Sequence, residues 1–494
     1  MNILLKHNLT CPLVIMAVAL MLLIGCASDP PEVTTLFELP ESFSQTGKHV
    51  LPEQWWHDFN DPVLNEVMAL ALSDNFSLRA TWDRLAQAEA IARREGAATW
   101  PDLDLTASVT RKREDQSGQT STTNSFIIGL AASYELDLWG RVRSTHRAAG
   151  YDVQVSAQDL QAAAISLTAS VANTWYQLAE QSQQVQVINE QLEANRKLRD
   201  LVMERFRQGQ VQAADVLRQR QLVESSEGLK TLAELQLSIT KQRLAVLLGR
   251  PPESGPVQVD PQFISLPDLP DTGLPAALIE RRPDVRRAYL NVLAKDQKLA
   301  AAIAEQFPRI SITASVTTSA AKTRDLFDNW LASLAGNLAQ PIFDADRLGA
   351  EADRNRAVLS EAINTYRQVV LDALKDVEAA LVTERSRSGY LESLRKQLST
   401  TDAVIERTYM SYMNGQLDYI RVLESLTSRQ SLQRQVLTAE RQLIESRIQL
   451  CRALAGPLPI ERPEPAILEP VIAGEGKESE TIMELEIDRD CDHE

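Results

Sequence analysis

A duplication constrains what this chain can fold into more than any other feature of its sequence. Residues 100–109 (WPDLDLTASV) return in similar form at residues 307–316 (FPRISITASV), an offset of 207 residues. A second pair of segments, FRQGQ at 206–210 and YMNGQ at 412–416, is separated by 206 residues. Solenoid repeats are only about 20 to 50 residues long. The two matches therefore indicate two copies of a whole half-domain.

Each copy begins with a helix and two strands. Leu103, Leu105 and Val109 alternate with polar residues, and residues 126–136 and 310–317 repeat this period of two. The alternation predicts strands with one apolar face and one face of small or polar residues. At about ten residues, each strand is long enough to cross a bilayer at a tilt. Residues 114–124 and 320–328 are mostly polar, which predicts exposed loops.

Four strands are too few to close a sheet within one chain. A soluble sandwich is the alternative interpretation, but the many Ser and Thr residues on the polar faces favour a water-filled lumen. Each unpaired backbone group costs several kcal/mol in lipid. Strands that span a membrane would therefore require several copies of the chain.

Very long helices follow the strands. Residues 141–207 and 347–414 contain no Pro, and apolar residues recur every seven positions in the second segment, with a polar break at Glu384 and Arg387. This spacing predicts coiled-coil packing of helices about 100 Å long. Gly209 and Gly415 mark the turns from which shorter helices return.

The N-terminus has the pattern of an export signal. Lys6 precedes an apolar run at residues 13–24 that is too short to span a bilayer as a helix, so it predicts a signal peptide. The run ends in LIGC at residues 23–26, which resembles the lipobox of bacterial lipoproteins. That resemblance implies a covalent lipid on Cys26 and, with Ala27 next, sorting to the outer membrane. The alternative is an ordinary signal peptide with an incidental Cys.

Charge and motifs exclude several classes of function. The formal net charge of −16 argues against a protein that wraps nucleic acid. The five His residues form no metal-binding pattern, and no phosphate loop, dinucleotide loop or nucleophile elbow is present. We therefore expect no enzyme, no catalytic residue, no metal site and no cofactor besides the lipid. Met203, Met410 and Met413 lie near the predicted turns and could serve metal export, although such residues more often pack.

These patterns predict a mixed, mainly α fold in which two β-strands and a long coiled-coil helical hairpin occur twice. A sheet with a polar lumen joined to a tube of helices indicates a conduit. The predicted segments are a signal peptide at 1–25, a lipidated N-terminal segment at 26–74, a first repeat at 75–249, a Pro-rich inter-repeat strap at 250–282, a second repeat at 283–456 and an acidic disordered tail at 457–494.

Four motifs resemble the TolC-like outer-membrane factors, the lipoprotein outer-membrane efflux channels of tripartite export systems. The resemblance covers nearly everything from Gln54 to Gly456 and implies a homotrimer with a twelve-stranded transmembrane β-barrel and a twelve-helix periplasmic α-barrel. It further implies a periplasmic membrane-fusion adaptor and an inner-membrane transporter of the resistance-nodulation-division class as partners. The motifs are EQWWHDFNDPVL at 53–64, ELDLWGR at 135–141, LLGRP at 247–251 and ERRPDVR at 280–286.

The same resemblance suggests a periplasmic gate just beyond the second helical turn. Ile420 matches an apolar ring position of the family and Glu424 an acidic one, where the family often has Asp. Arg421 could pair with an acid on a neighbouring hairpin. Glu424 could instead be a solvated flank of the coiled coil. Gly209 and Gly415 would serve the turns and the adaptor contact.

The expected function is a passive outer-membrane exit channel for small amphiphilic compounds in a Gram-negative bacterium, with its tunnel in the periplasm and outer-membrane lipid around it. An inner-membrane pump would supply the energy. Two alternatives remain at this stage: an exit duct for type I protein secretion, and a non-conducting lipoprotein that spans the periplasm.

Overall fold

The computed structural model describes residues 38–116, 119–252 and 262–462, and residues up to Ile460 belong to one unit. Strands β1 to β4 are Asp102–Gln116, Gln119–Glu135, Arg309–Ala320 and Trp330–Ala339. Short 3₁₀ helices lie at Trp55–Phe59 and Thr323–Asp325. The helices α1 to α8 are Pro62–Asp74, Phe76–Ala97, Arg141–Arg207, Ala213–Leu247, Pro275–Arg281, Pro283–Ala304, Arg347–Met413 and Tyr419–Leu454.

The duplication is visible in the elements themselves. Helices α2 and α6 both have 22 residues and begin 207 positions apart, at Phe76 and Pro283. Helices α3 and α7 both have 67 residues and begin 206 positions apart, at Arg141 and Arg347. The offsets read from the sequence therefore hold over whole elements, and at 1.5 Å per residue each long helix measures about 100 Å.

The four strands form one antiparallel sheet in the order β1-β2-β3-β4. Directly paired residues share a face, so the register places Leu105, Leu130, Val316 and Ala332 in neighbouring positions on one face. Thr106, Thr317 and Leu331 lie on the other face, next to Gly129.

The loop predicted at residues 114–124 is wrong. Strand β1 continues to Gln116 and β2 begins at Gln119, and the two strands stay paired over this stretch. The segment is polar because both faces of the ribbon are exposed, and its Thr residues suit a strand as well as a loop. The second predicted loop, between Ala320 and Trp330, is present and includes the short 3₁₀ helix.

The shorter helices of each copy meet end to end beside a long helix. The Asn75 side chain accepts a hydrogen bond from the amide of Leu78 in the first turn of α2 (3.0 Å) and donates to the Leu247 carbonyl at the end of α4 (2.9 Å). Arg282, 207 positions later, precedes α6 and donates to the Ala453 carbonyl at the end of α8 (3.3 Å). Each joint thus satisfies carbonyl groups that a helix end leaves without partners.

The largest core lies where α1, α3 and α8 meet below the sheet. Trp55, Trp175 and Tyr176 are almost fully buried there. Asp61 begins α1 by accepting the amides of Val63 and Leu64 (3.1 and 3.0 Å), and its second oxygen accepts Trp175 Nε1–H (2.8 Å). The WWHDF segment is therefore an anchor for the N-terminal chain. Within the described residues, no helix combines the length and apolarity needed to cross a bilayer.

Sheet and helices share one lateral order. Helices α2 and α4 pack on α3, which packs on α6 and α8, and these pack on α7. Strand β1 follows α2, β2 precedes α3, β3 follows α6 and β4 precedes α7, so the strands and helices are in the same sequence from side to side. One lateral edge consists of β1, α2 and α4, and the other consists of β4 and α7.

The predicted signal peptide at 1–25 and the lipidated Cys26 lie outside the described residues, as does the acidic tail predicted at 457–494 from residue 463 onward. The Pro-rich strap is described except for residues 253–261. In its described part, His49 pairs with Pro270 in a parallel bridge, which places the N-terminal segment against the strap.

Candidate conduit and gate

Both helical hairpins turn at the glycines that the sequence predicted. Gly209 and Gly415 have φ angles of 72° and 74°, in the left-handed region. Their amides donate to Phe206 O (2.9 Å) and Tyr412 O (3.0 Å), and the next amides reach back to Arg205 O and Ser411 O (both 2.9 Å). This pair of bonds is the Schellman motif, which favours glycine at this position. A contact between these turns and an adaptor remains a prediction.

The proposed gate residues lie in the first two turns of α8. Tyr419 and Val422 point into the protein, whereas Glu424 is exposed and Ile420 half-buried. Residues four positions apart share a helix face, so Ile420 and Glu424 project from the same side. This arrangement is compatible with the predicted rings, and the role of each residue stays a prediction.

Arg421 pairs with its own helix. Its Nη1 lies 3.1 Å from Glu424 Oε2, and both side chains are more than half exposed. The sequence had left the partner of Arg421 open, with a neighbouring hairpin as one option. The contact partly neutralises the acid at the proposed ring position, so charge repulsion there depends on Arg421 as well as on Glu424.

An aromatic cluster that sequence reasoning missed joins the two hairpin tips. The rings of Tyr412 and Tyr419 are 5.6 Å apart, and the Arg205 guanidinium lies 4.9 Å from the Tyr412 ring centre. The Tyr419 hydroxyl donates to Gln219 Oε1 on the other hairpin. Burial, together with Tyr412 and Asp215, raises the pKa of Tyr419, so its hydroxyl keeps its proton as a donor. The aromatic residues on both sides of Gly415 were the available signal.

A second missed feature is a polar layer between α3, α4 and α8. Asn195 is fully buried, donates to Ser226 Oγ (2.9 Å) and accepts from Gln430 Nε2 (2.8 Å). Gln219, also fully buried, donates to the Asn195 carbonyl (2.7 Å). Buried polar groups are expensive unless they are paired. This layer therefore favours one register between the two hairpins.

The polar break in the α7 heptads is an ion pair. Glu384 accepts two hydrogen bonds from Arg447 of α8 (2.6 and 2.9 Å), and the exposed fractions of the two side chains are only 12% and 4%. Arg447 Nη1 also donates to the carbonyls of Pro267 and Asp268 (2.8 and 3.1 Å). The break thus ties α7, α8 and the inter-repeat strap together.

The two faces of the sheet differ in the way that a conduit through a membrane requires. Leu103, Leu105 and Val109 are about 70% exposed on one face. On the other face, Ser315 and Ser333 share a hydrogen bond (2.7 Å), and Asn337 donates to Thr313 (3.3 Å). A side chain at position 129 would contact Thr317 and Thr106, so glycine there leaves room for these two side chains on the polar face.

The described residues contain no group of three or more His, Cys, Asp or Glu side chains placed to hold a metal ion. Met410 and Met413 are 60% and 43% exposed near the second turn. The choice between packing and metal export for these two residues stays a prediction. Cys451 is fully buried in α8, where burial raises the pKa of its thiol.

Comparison with known proteins gives one consistent result. The outer membrane efflux protein family matches residues 67–250 and 274–456. The pyoverdine export outer membrane protein OpmQ of Pseudomonas aeruginosa is 29% identical over 453 residues, which cover 89% of this chain and 95% of the relative. The toluene efflux pump outer membrane protein TtgF of Pseudomonas putida is 28% identical over 411 residues, 81% of this chain and 85% of that one.

Solved structures agree on the fold. The outer-membrane channel OprN superposes with a TM-score of 0.81 at 24% identity, over 87% of this chain and 99% of that chain. The open state of the Neisseria gonorrhoeae MtrE outer membrane channel gives a TM-score of 0.77 at 26% identity, over 88% of this chain and 98% of that chain. The predicted mainly α fold with strands and long helical hairpins is confirmed.

Proposed function

Because the chain belongs to the outer membrane efflux protein family, we propose that three copies of it assemble into the outer-membrane exit duct of a tripartite pump. The protein is an outer-membrane efflux channel component with its helices in the periplasm.

The shared lateral order of strands and helices is the observation that carries the proposal. Both edges of the sheet are open, and β4 is exposed along its whole length in the single chain. Bare edges are not tolerated in lipid. If the β1 edge of one copy pairs with the β4 edge of the next, each contact joins two different surfaces of the chain. Repeating such a contact produces a closed ring when the rotations between successive copies add up to a full turn. Three copies would supply twelve strands.

The helical edges support the same assembly. Leu232, Leu235 and Val246 of α4 are 50–59% exposed in the single chain, as is Val382 of α7 at 58%. These two helices form the two lateral edges, on the same sides as β1 and β4. Association of α4 with α7 of a neighbour would bury both apolar surfaces at once.

The channel would be passive. Ile420 and Glu424 are proposed to line the narrow periplasmic end, and the pump would supply the energy for export. The family is one of conduits, and we propose no catalytic role and no cofactor for this chain. A lipid on Cys26 would anchor each copy to the outer membrane.

The proposed partners are a periplasmic membrane-fusion adaptor at the turns around Gly209 and Gly415, and an inner-membrane transporter of the resistance-nodulation-division class. The proposed cargo is small and amphiphilic. The relatives named for pyoverdine export and toluene efflux support a small-molecule cargo. Co-purification with the inner-membrane complex from native membranes would identify the partners.

Single-channel recording of the purified full-length protein in planar bilayers tests the conduit and its gate together. Glu424→Ala is compared with Glu392→Ala, another exposed acid in an ion pair, which lies in the middle of α7. We expect discrete conductance steps, and a changed open frequency and cation preference for Glu424→Ala alone. A protein without conductance would overturn the channel proposal, and identical behaviour of the two variants would overturn the gate.

A further inference from the structure

The hairpin of β1 and β2 extends well beyond the rest of the sheet. Strands β1 and β2 pair as far as Gln116 and Gln119, whereas the last pairing of β2 with β3 is at Phe126 and Ala320. The described residues 110–116 and 119–125 therefore form a ribbon of only two strands, which we call the outer ribbon. It lies at the end of the sheet opposite the helices, and so on the cell exterior, given the proposed function on which this inference rests.

Two arginines continue the apolar row of β1 into the outer ribbon. Because strand residues two positions apart share a face, Arg111 and Arg113 lie on the same face as Leu103, Leu105 and Val109. The row that faces lipid thus changes abruptly from apolar to cationic between Val109 and Arg111.

The change from apolar to cationic residues lies beside two aromatic side chains on the same face of the sheet. Phe126 pairs directly with Val109, and Trp330, 73% exposed, pairs with Thr318 on the same face. Aromatic side chains mark the level where hydrocarbon meets headgroups. Arg111 is the first residue beyond this level on the outward face, followed by Arg113.

The charged side chains nearby leave the guanidinium groups of Arg111 and Arg113 available to bind an anion. Lys112 lies on the opposite face and forms an ion pair with Glu114 (3.2 Å). Asp115 shares the arginine face two positions beyond Arg113. In the part of the chain that the structure describes, no ion pair involves Arg111 or Arg113, and both side chains are exposed. Asn124 and Thr122, directly opposite them in β2, add polar groups to the same face.

We propose that Arg111 and Arg113 bind the phosphate groups of the phosphorylated glycolipid in the outer leaflet of the membrane. Guanidinium groups bind phosphate through two parallel hydrogen bonds. Asn124 supplies a further donor beside Arg111. Continuity with the lipid-facing row selects a membrane lipid as the partner, because a soluble anion would gain nothing from the adjoining apolar surface.

The test measures binding of lipid A to the full-length protein in detergent by native mass spectrometry. Diphosphorylated lipid A, its dephosphorylated form and inorganic phosphate are the three probes. The double variant Arg111→Gln/Arg113→Gln is compared with Lys112→Gln, a matched loss of charge on the other face. We expect the double variant to bind diphosphorylated lipid A about 25-fold more weakly, since each basic side chain near an anionic surface contributes roughly fivefold. Lys112→Gln should stay within about twofold of the unaltered protein.

Three results would each overturn the lipid site. The unaltered protein could bind the dephosphorylated and the diphosphorylated lipid with equal affinity, or inorganic phosphate could bind as tightly as the lipid. Lys112→Gln could also lose as much affinity as the double variant. Should the double variant fail to fold, the salt dependence of lipid binding to the unaltered protein decides, because phosphate contacts weaken steeply with salt. If the protein conducts in planar bilayers but binds the two forms of the lipid equally, the lipid site is refuted and the proposed channel function is not.

Discussion

Removing Arg447 is the perturbation whose effect follows most directly from the contacts of a single side chain. Arg447→Met leaves Glu384 buried without its partner, which destabilises a protein by about 3–5 kcal/mol. The carbonyls of Pro267 and Asp268 also lose a donor, at about 0.5–1.5 kcal/mol each. Glu384→Gln replaces the carboxylate with a neutral amide, so Arg447 loses its charged partner but keeps the strap carbonyls, and we expect a loss of about 1.5–3 kcal/mol.

The double variant separates the ion pair from the rest. Glu384→Gln/Arg447→Met contains no unpaired buried charge, so it should be less destabilised than the two single effects together, with a coupling of about 2 kcal/mol. Urea unfolding of the detergent-solubilised protein, followed by far-ultraviolet circular dichroism, measures all four proteins. The exposed pair Lys396–Glu392 (2.6 Å) serves as control and should show less than about 1 kcal/mol of coupling. Additive effects at Glu384 and Arg447 would show that the two side chains do not stabilise the protein as a pair.

Three further predictions concern turns, acid stability and the buried thiol. Gly415→Ala should lower the free energy of unfolding by about 1–2 kcal/mol, because residue 415 has a positive φ. Gly389→Ala, inside α7 with open space around it, should raise the free energy of unfolding by about 0.5–1 kcal/mol. Urea unfolding measures both changes, and changes of the same sign would contradict the prediction. Burial opposes ionisation of Asp284, but the hydrogen bonds and the charge of Arg282 outweigh burial and hold the pKa of this carboxyl below the usual 3.8. The ionised carboxyl therefore stabilises the fold above pH 3.8, and this stabilisation disappears as the pH falls through the lowered pKa. Asp284→Asn should flatten the decline of the melting temperature below about pH 4, and an unchanged slope would contradict this prediction. Since burial raises the pKa of Cys451, maleimide should label this thiol only in denaturant, as detected by peptide mass spectrometry, and labelling of the folded protein would show that the α8 core is open.

Much of the architecture is predictable because its signals are local. Long segments without Pro predict α3 and α7, and single glycines predict the turns at Gly209 and Gly415. Period-two alternation predicts the membrane portion of the strands. The outer ribbon was missed because residues 119–125 are polar on both faces, and polarity alone does not distinguish a solvated ribbon from a loop.

The features that join the elements depend on residues far apart in the chain. Glu384 was visible as a polar break in the heptads, but its partner Arg447 lies 63 positions away and could not be assigned. The joint between Asn75 and Leu247 and the contact between Tyr419 and Gln219 span 172 and 200 positions. Such pairs follow from the packing of whole helices, and a periodicity argument within one helix does not reveal them.

The mass of the purified complex is the most direct test of the claim that the open edges of one chain are closed by identical neighbours. Light scattering of the full-length protein in mild detergent gives the number of chains independently of detergent and shape. We expect three chains and a single closed species. A single chain, or an open series of ever larger assemblies, would contradict it.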